Sequence, residues 1–391
     1  NSELPASESA MTPFTISGAP AMANASPWID RSATPARPKF LNQEVLRRRY
    51  KWWTFLTSSL NLLIVSALVV VCLQFSENWW LSGSLIYLPQ TPLLIPSVCL
   101  LGCSLMWHIR SALLNLTSIA LILVCLCDAR FSMKPFNGIP DSGRNVRLIT
   151  CNVQNFEPNF GQVLREVARF KPDILILQEA RQVPKMLNEY LEGWNWQHQA
   201  GLMVGSKWSL SEGGLCHTSP YDRLTAMAVR IETPSGPIMV GNVHLMTARR
   251  GLTELSVTSI LDGSGPASVD HHAFLRDEEA RQTQAFFENL PEDAPTIIAG
   301  DFNMPTASSI FDDSFGQYSD AFDEAGIGFG YTAPCRPIRF WLPEVPWLRI
   351  DHVLTSQHFE TLRCEAGEFS GSDHRLVATV LKLRDPNAPP P

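Results

Sequence analysis

"TIIAGDFNMP", residues 296–305, begins as an apolar strand and then departs from what a core strand requires. Asp301 and Asn303 follow Gly300 directly, with Phe302 between them. Positions two apart in extended chain point the same way. A carboxylate and a carboxamide are therefore expected together at the strand's carboxyl end, with Phe302 turned elsewhere. A charge at the rim of an apolar strand needs compensation.

The pattern recurs along the chain. "RLITCNVQ" ends with Asn152, and "DILILQEA" with Gln178 and Glu179. "IMVGNVHL" carries Asn242 and His244, "RIDHVL" carries Asp351, and "GSDHRLV" places Asp373 and His374 before the last strand. Taken singly, each has a plain structural explanation: a turn cap, a satisfied core histidine, a loop bond. Six strand ends of this kind are harder to explain that way, because uncompensated buried carboxylates are costly. A divalent cation removes the cost if the ends converge. Oxygen donors with no cysteine and few histidines select Mg²⁺ or Mn²⁺ over zinc. Phosphoester hydrolysis requires stabilising negative charge on the phosphoryl oxygens, activating water and protonating a leaving oxygen, and this inventory fits that job.

The surrounding sequence gives the class. Residues 145–153 and 173–180 read as strands, and 160–170 has helical spacing ended by Pro172. "LTAMAVRIE" and "PIMVGNVHL" form a strand pair joined at "TPSG", and 275–290 is an amphipathic helix. "IDHVLTS" and "HRLVATVLKL" close the domain. Hairpins mixed with strand–helix units predict an α/β architecture with mixed sheets. Residues 144–385 carry 21 Lys and Arg against 31 Asp and Glu, a net charge of −10. Nucleic-acid binding usually rides on a basic surface, so this charge disfavours a nucleic-acid substrate unless divalent ions bridge it to the domain.

The amino-terminal third has another character. No charged residue occurs from Trp52 to Ser76, from Asn78 to Ile109, or from Ser111 to Cys127. Each contains an apolar-dominated segment of the roughly 17–25 residues that cross a bilayer as helix, with tryptophans at the ends as interface anchors. Three spans are expected, over 52–75, 85–107 and 111–127, within an anchor of residues 47–128. "RRRYK" (47–51) and Arg110 are on one side and only Glu77 on the other. The positive-inside rule then puts the amino terminus in the cytoplasm and the catalytic domain outside it, though Arg130 and Lys134 run against this. Residues 1–46 and 386–391 read as disordered tails, and the first 40 residues have no apolar core of the kind a cleavable signal peptide needs. None of the nine cysteines forms a metal-type pair. Packing suits most of them, and a disulfide among Cys151, Cys216, Cys335 and Cys364 is open to an external domain.

"TCNVQNF", "PDILILQE", "GNVHL", "GDFN", "IDHVL" and "SDHR", in this order over roughly residues 144–385, resemble the endonuclease/exonuclease/phosphatase superfamily. That group contains deoxyribonuclease I, abasic-site endonucleases, neutral sphingomyelinases and inositol-polyphosphate 5-phosphatases. With its apolar segments the chain looks like a bacterial-type, membrane-anchored member. The resemblance implies a four-layer sandwich, two mixed β-sheets face to face and flanked by helices, preceded here by three transmembrane helices. It implies that Glu179 is the Mg²⁺ carboxylate, that Asn152 helps position metal or phosphate, and that Asp373 lies beside the metal. Asp301 and Asn303 resemble the pair that activates water and stabilises the transition state. His374 resembles the general base or phosphate-polarising histidine, with Asp351 orienting its ring, and His244 resembles a second histidine. Gln154 stands where the abasic-site branch has a metal-binding Asp, which argues against that branch.

Cys151 and His352 alternate away from the site and read as structural. His217, His271 and His272 fall in loop-like stretches, while 247–272 could be a substrate-facing loop. The implied activity is a membrane-anchored, Mg²⁺- or Mn²⁺-dependent phosphoric ester hydrolase. It would act on a phosphodiester, either nucleic acid (a nuclease) or a small substrate. The alternatives are a phospholipid headgroup, sphingomyelinase-like or phosphoinositide, and an inactive binding module. The sequence points to no protein partner.

Overall fold

The computed structural model describes residues 43–139, 143–156, 159–219, 221–290, 294–336, 342 and 344–384. Contacts divide the chain into residues 1–48 and 49–391. Of the first unit only 43–48 are described, and they are helical, where a disordered tail had been expected to run to residue 46. The remainder of that tail and residues 386–391 lie outside the described residues.

Two mixed six-stranded sheets form the domain that follows the apolar segments, the one expected to be catalytic. The strands of the first are β1 (Asn145–Asn152), β2 (Ile174–Gln178), β3 (Asn195–Gln199), β4 (Leu202–Ser206), β11 (Phe359–Ala366) and β12 (Val377–Leu383), in the order β11-β12-β1-β2-β4-β3. The second holds β5 (Leu210–Thr218), β6 (Arg223–Thr233), β7 (Gly236–His244), β8 (Thr296–Asp301), β9 (Ser319–Asp320) and β10 (Asp351–Thr355), ordered β9-β10-β8-β7-β6-β5. Each sheet has one parallel pair, β1 with β2 and β7 with β8, amid antiparallel neighbours.

Alternation along the strands builds the layers. Leu148, Ile176, Val240, Ile297 and Val353 meet between the sheets in one core. Their neighbours Ile149, Leu175 and Leu177 face helix α5 (Phe160–Phe170) through Val163 and Val167. On the other side Met239, Val243 and Ile298 pack with Phe287 of α6 (Ser264–Glu288) and Phe311 and Phe315 of α7 (Ser309–Phe315). The result is helix, sheet, sheet, helix. Two glycines are needed for it: a Cβ on Gly241 would lie 2.3 Å from the Phe287 ring, and one on Gly300, at φ +152°, would lie 1.9 Å from the Val243 carbonyl oxygen.

The helix expected over 275–290 begins at Ser264, where Asp262 Oδ1 accepts from the Ser264 backbone N–H at 2.9 Å. His271 and His272 are therefore helical and His217 lies in β5, so none of the three is in a loop as the sequence had suggested. Strands β3, β4, β5 and β11 carry no alternation strong enough to be read in advance.

In the amino-terminal part, α1 (Gln43–Val70) continues through a π-turn and a 3₁₀ turn to Asn78. A short α2 (Trp80–Leu85) follows, then α3 (Leu94–Trp107) and α4 (Ile109–Leu121). Among the described residues two helices, Gln43–Asn78 and Ile109–Leu126, are long and apolar enough to cross a membrane. The middle segment is a shorter apolar helix, Thr91–Trp107, and not the 85–107 span expected. Its chain is non-helical from Ile86 to Gln90, where Pro89 removes a backbone donor, and Pro92 sits in the first turn of the helix that follows. Leu60, Leu63, Ile95 and Leu113 are each more than half exposed, while small polar residues face inward. Asn115 Nδ2 donates to Ser58 Oγ and Ser104 Oγ, both at 2.9 Å, and Asn61 Nδ2 to Ser97 Oγ at 3.0 Å.

Both ends of this bundle nearest the two-sheet domain are tied to it. Glu77 is buried, accepting from Tyr87 Oη at 2.9 Å and Ser308 Oγ at 2.7 Å, and lies 3.5 Å from Arg276 Nη2. Asp128 accepts from Arg349 and Thr306, while Arg130 meets Asp323 at 3.0 Å and Lys134 meets Glu324 at 3.3 Å.

Candidate active site

The polar strand ends converge at one edge, between the sheets. Register sets half of them: His244 on β7 stands beside Asp301 on β8, and Asp301 beside Asp351 on β10. One row across three adjacent strands thus holds an imidazole and two carboxylates. The three share the inter-sheet face with Val240, Ile297, Ala299 and Val353, because side chains alternate along each strand. Asn152, at the end of β1, faces them from the other sheet. Its Nδ2 donates to Asp301 Oδ2 at 3.0 Å and to Glu179 Oε1 at 3.2 Å.

Glu179 adopts φ +53°, turning out of β2 so that its carboxylate joins this group. His244 Nε2 is 3.9 Å from Glu179 Oε1 and 3.8 Å from Asp301 Oδ2. His374, just before β12, bonds Asp351 Oδ2 through Nδ1 at 2.8 Å and directs Nε2 to within 3.7 Å of Asp301 Oδ2. Ser372 Oγ holds that turn by donating to the Asn152 carbonyl at 2.7 Å.

Asn303 arrives by a different route from the one its spacing suggested. The chain leaves the strand after Asp301, and Asn303 sits at φ +53° with its backbone N–H donated to Asp301 Oδ1 at 2.9 Å. A side-chain-to-backbone turn of this kind, and not strand alternation, keeps the two residues together. Phe302 packs on the outer face against Phe311 and Phe315, as anticipated. Asp373 is half-buried at the margin, its backbone N–H donated to Gln154 Oε1 at 3.2 Å.

Three rim residues are structural. Gln178 donates to Asn242 Oδ1 at 2.8 Å, and Asn242 donates to the Leu177 and Met203 carbonyls at 2.8 and 3.0 Å. The two amides are a bracket between the sheets, one layer below the site. His352 is buried on the outer face, bonded to Asp320 Oδ2 at 2.7 Å and the Met304 carbonyl at 3.0 Å. Cys151 packs toward α5, and all nine thiols are free, so Cys151, Cys216, Cys335 and Cys364 form no disulfide.

Burial and charge set the protonation. Burial pushes Asp301 up to about 7, with Asp351 adding to it and His374 opposing. For His374 burial works against the charged ring, but Asp351 and Asp301 outweigh it and hold the imidazole up to about 10. Burial lowers His244 to about 3, helped by Arg223 and His374. Asp301 therefore holds a proton up to near neutral pH, while His374 is kept charged and His244 neutral.

The donors fit a hard divalent cation. Asp351 Oδ1 is buried without a hydrogen-bond partner, the Glu179 side chain is 32% exposed, and the carboxylates of Asp301, Asp351 and Glu179 are hard oxygen donors. The tightest group is Asp301, Asp351 and His374, whose ligand-type atoms lie within 4.8 Å of one another. Asp351 and His374 already bond each other, and Asn152 turns Nδ2 to the carboxylates while its Oδ1 accepts from the Gln154 backbone N–H at 3.1 Å, which leaves Glu179 as the most exposed carboxylate of the set.

A cleft of about 580 Å³ adjoins the row, lined by Tyr87, Arg249, Asn303, Arg336, Trp347 and His374 among others. Arg249 lies in the field of Asp373, Asp301 and Glu179. Its place in "TARRG", just after β7, was the one signal in the sequence that could have pointed to it. Tyr87 had no such signal, since it belongs to the amino-terminal apolar region.

The model of the endonuclease/exonuclease/phosphatase family matches residues 149–374. No curated protein matches the sequence. Among solved structures, an endonuclease/exonuclease/phosphatase from Beutenbergia cavernae is 17% identical over 61% of this chain and 72% of its own, with a TM-score of 0.41. Caenorhabditis elegans TDP2 is 14% identical over 61% and 76%, with a TM-score of 0.45. The human Nocturnin catalytic domain, with bound sulfate, is 15% identical over 63% and 96%, with a TM-score of 0.44.

Proposed function

We propose, from the premise that this chain belongs to the endonuclease/exonuclease/phosphatase family, that it is a membrane-anchored, divalent-metal-dependent hydrolase of phosphodiesters. The carrying observation is the row His244–Asp301–Asp351 with His374, Asn152 and Glu179 against it. Glu179 and Asn152, with Asp373 beside them, would hold Mg²⁺ or Mn²⁺. Such an ion supplies positive charge to phosphoryl oxygens and acidifies bound water.

Asp301 takes the proton from the attacking water. His374 carries its charge on Nε2–H, from which it donates to a phosphoryl or leaving oxygen, and Asp351 fixes its ring through Nδ1. His244, neutral, orients the water or a phosphoryl oxygen from the opposite side of Asp301. Asn303, its Nδ2 donated to the Leu245 carbonyl at 2.9 Å, lines the cleft beside Asp301.

Three membrane crossings fit the contacts. Tyr50 stacks on Trp107 with ring centroids 5.1 Å apart, so the start of α1 meets the end of α3. Glu77 and Asp128, at the opposite ends of their helices, both reach the catalytic domain. Arg130 and Lys134, the two cations that ran against the orientation rule, are paired with Asp323 and Glu324. We read the basic amino-terminal side as cytoplasmic and the catalytic domain as outside it.

A second reading narrows the substrate to a phospholipid headgroup, and one observation favours it: Tyr87 of the anchor lines the catalytic cleft. The test is the full chain in detergent micelles with Mg²⁺, Mn²⁺ or chelator, assayed on plasmid DNA, RNA, sphingomyelin, phosphoinositides and a chromogenic diester. Metal-dependent cleavage of at least one is expected. Cleavage of none, with metal bound, would favour a binding module.

A further inference from the structure

A second cavity, of about 270 Å³, lies in the seam between anchor and catalytic domain. Its walls include Cys72 and Leu73 beyond the end of α1, Val124 and Leu126 beyond the end of α4, and Ala307 from the catalytic domain. Trp347 and Leu348 belong to this wall and to that of the catalytic cleft, and consecutive residues Ile86 and Tyr87 face the cavity and the cleft respectively. The Trp347 indole is held at that junction by its Nε1–H, donated to the Tyr87 carbonyl at 3.0 Å. Apolar packing continues across it: Cys72, Ile86, Tyr87 and Ala248 form one cluster, flanked by Leu126, Leu252 and Leu348. The charges that line the cavity, Asp128, Arg130 and Arg349, are paired: Asp128 meets Arg130 at 2.6 Å and Arg349 at 3.0 Å, and Arg130 also meets Asp323. On the cleft side stand the cations Arg249 and Arg336, beside Asn303 and His374.

The order is therefore helix ends, apolar cavity, a tryptophan wall, two guanidinium groups, then the carboxylate–imidazole row. A molecule with an apolar tail and an anionic head matches that order, and a nucleic acid has nothing to place in the cavity. We propose that this cavity binds an acyl chain of a membrane phospholipid, presenting its phosphodiester to the cleft past Trp347, with Arg249 and Arg336 on the phosphate. The proposal rests on the phosphodiesterase reading above and adds a tail site to it. Burial of the chain gives affinity, and the arginines give selectivity for an anionic head.

The experiment uses the full chain reconstituted in phosphatidylcholine vesicles doped with a phosphatidylcholine bearing a diazirine near its chain end. Photolabelling is expected on peptides containing Cys72–Leu73, Ala307 and Trp347–Leu348. Labels confined to outward residues such as Leu63 and Leu113 would overturn the proposal. Ala307→Trp fills the cavity. It is expected to lower hydrolysis of long-chain phospholipid vesicles, tested as phosphatidylglycerol, sphingomyelin and phosphoinositide, by at least about tenfold. Turnover of bis(p-nitrophenyl) phosphate by the same variant should not change. Equal loss on both substrates, or plasmid DNA cut in preference to every lipid, would overturn the tail site and leave the phosphodiesterase reading standing. Photolabelling does not depend on the variant's folding or on turnover. Cavity labels without cleavage of any diester would therefore support the tail site and sink the phosphodiesterase reading alone.

Discussion

His374 Nδ1 and Asp351 Oδ2 are 2.8 Å apart although the two residues belong to opposite sheets, His374 entering β12 and Asp351 opening β10. The bond closes the site across the sandwich. It fixes which ring nitrogen points at Asp301, and it keeps a buried imidazole charged.

Asp351→Asn should leave His374 in place but remove the charge that holds its proton. We expect kcat on a soluble phosphodiester to fall by about 10²–10⁴-fold, and His374→Ala to do at least as much, with the far-ultraviolet spectrum unchanged. Wild-type turnover in either variant would refute the role given to the pair.

Chelation should abolish hydrolysis, and added Mg²⁺ or Mn²⁺ should restore it. Glu179→Gln is expected to raise the metal concentration for half-maximal activity by at least about tenfold, seen in a metal titration at saturating substrate. An unchanged titration would move the ion to the Asp301–Asp351–His374 group.

Acid should loosen the second sheet through Asp320. Burial opposes its charge, but Arg349 at 2.8 Å and His352 at 2.7 Å hold the carboxyl well below the usual carboxylate range. A depressed folded-state pKa contributes stability that is present above the unfolded value of about 3.9 and disappears as pH falls below it. Asp320→Asn should cost about 3 kcal/mol at neutral pH and flatten the loss of stability below about pH 4. Chemical unfolding at several pH values measures both, and parallel curves for the two proteins would rule this out.

Glu77→Ala should leave Arg276 buried with only Tyr87 to meet it. The expected destabilisation is about 3–5 kcal/mol, read as a lower thermal midpoint of the full chain in detergent. A midpoint within a degree of wild type would mean that the ion pair contributes nothing to docking.

Much of the site could be read from the chain because strand alternation and rim position are local properties. Asp301 behind Ile297 and Ala299, and His244 behind Val240 and Asn242, announce both a face and an edge. Asn303 was found for an incomplete reason, since a left-handed turn and not strand periodicity puts it beside Asp301. Asn242 and Gln178 look the same in sequence as their neighbours at the site. Only depth between the sheets separates a bracket from a catalytic group. Arg336 and Tyr87 were not legible, because their nearness to His374 is created by packing between distant segments. The middle apolar segment misled for a simple reason: composition counted residues 85–90 as membrane, and the prolines took them out of helix.

The buried contact between Glu77 and Arg276 also bears on how this enzyme can be handled. Trimming the apolar helices to obtain a soluble fragment would remove the carboxylate that neutralises Arg276, the ring of Tyr87 over it, and one wall of the cleft. A fragment of that kind would carry an orphaned cation next to a widened mouth. Any activity and selectivity measured on it would describe a different molecule from the full chain.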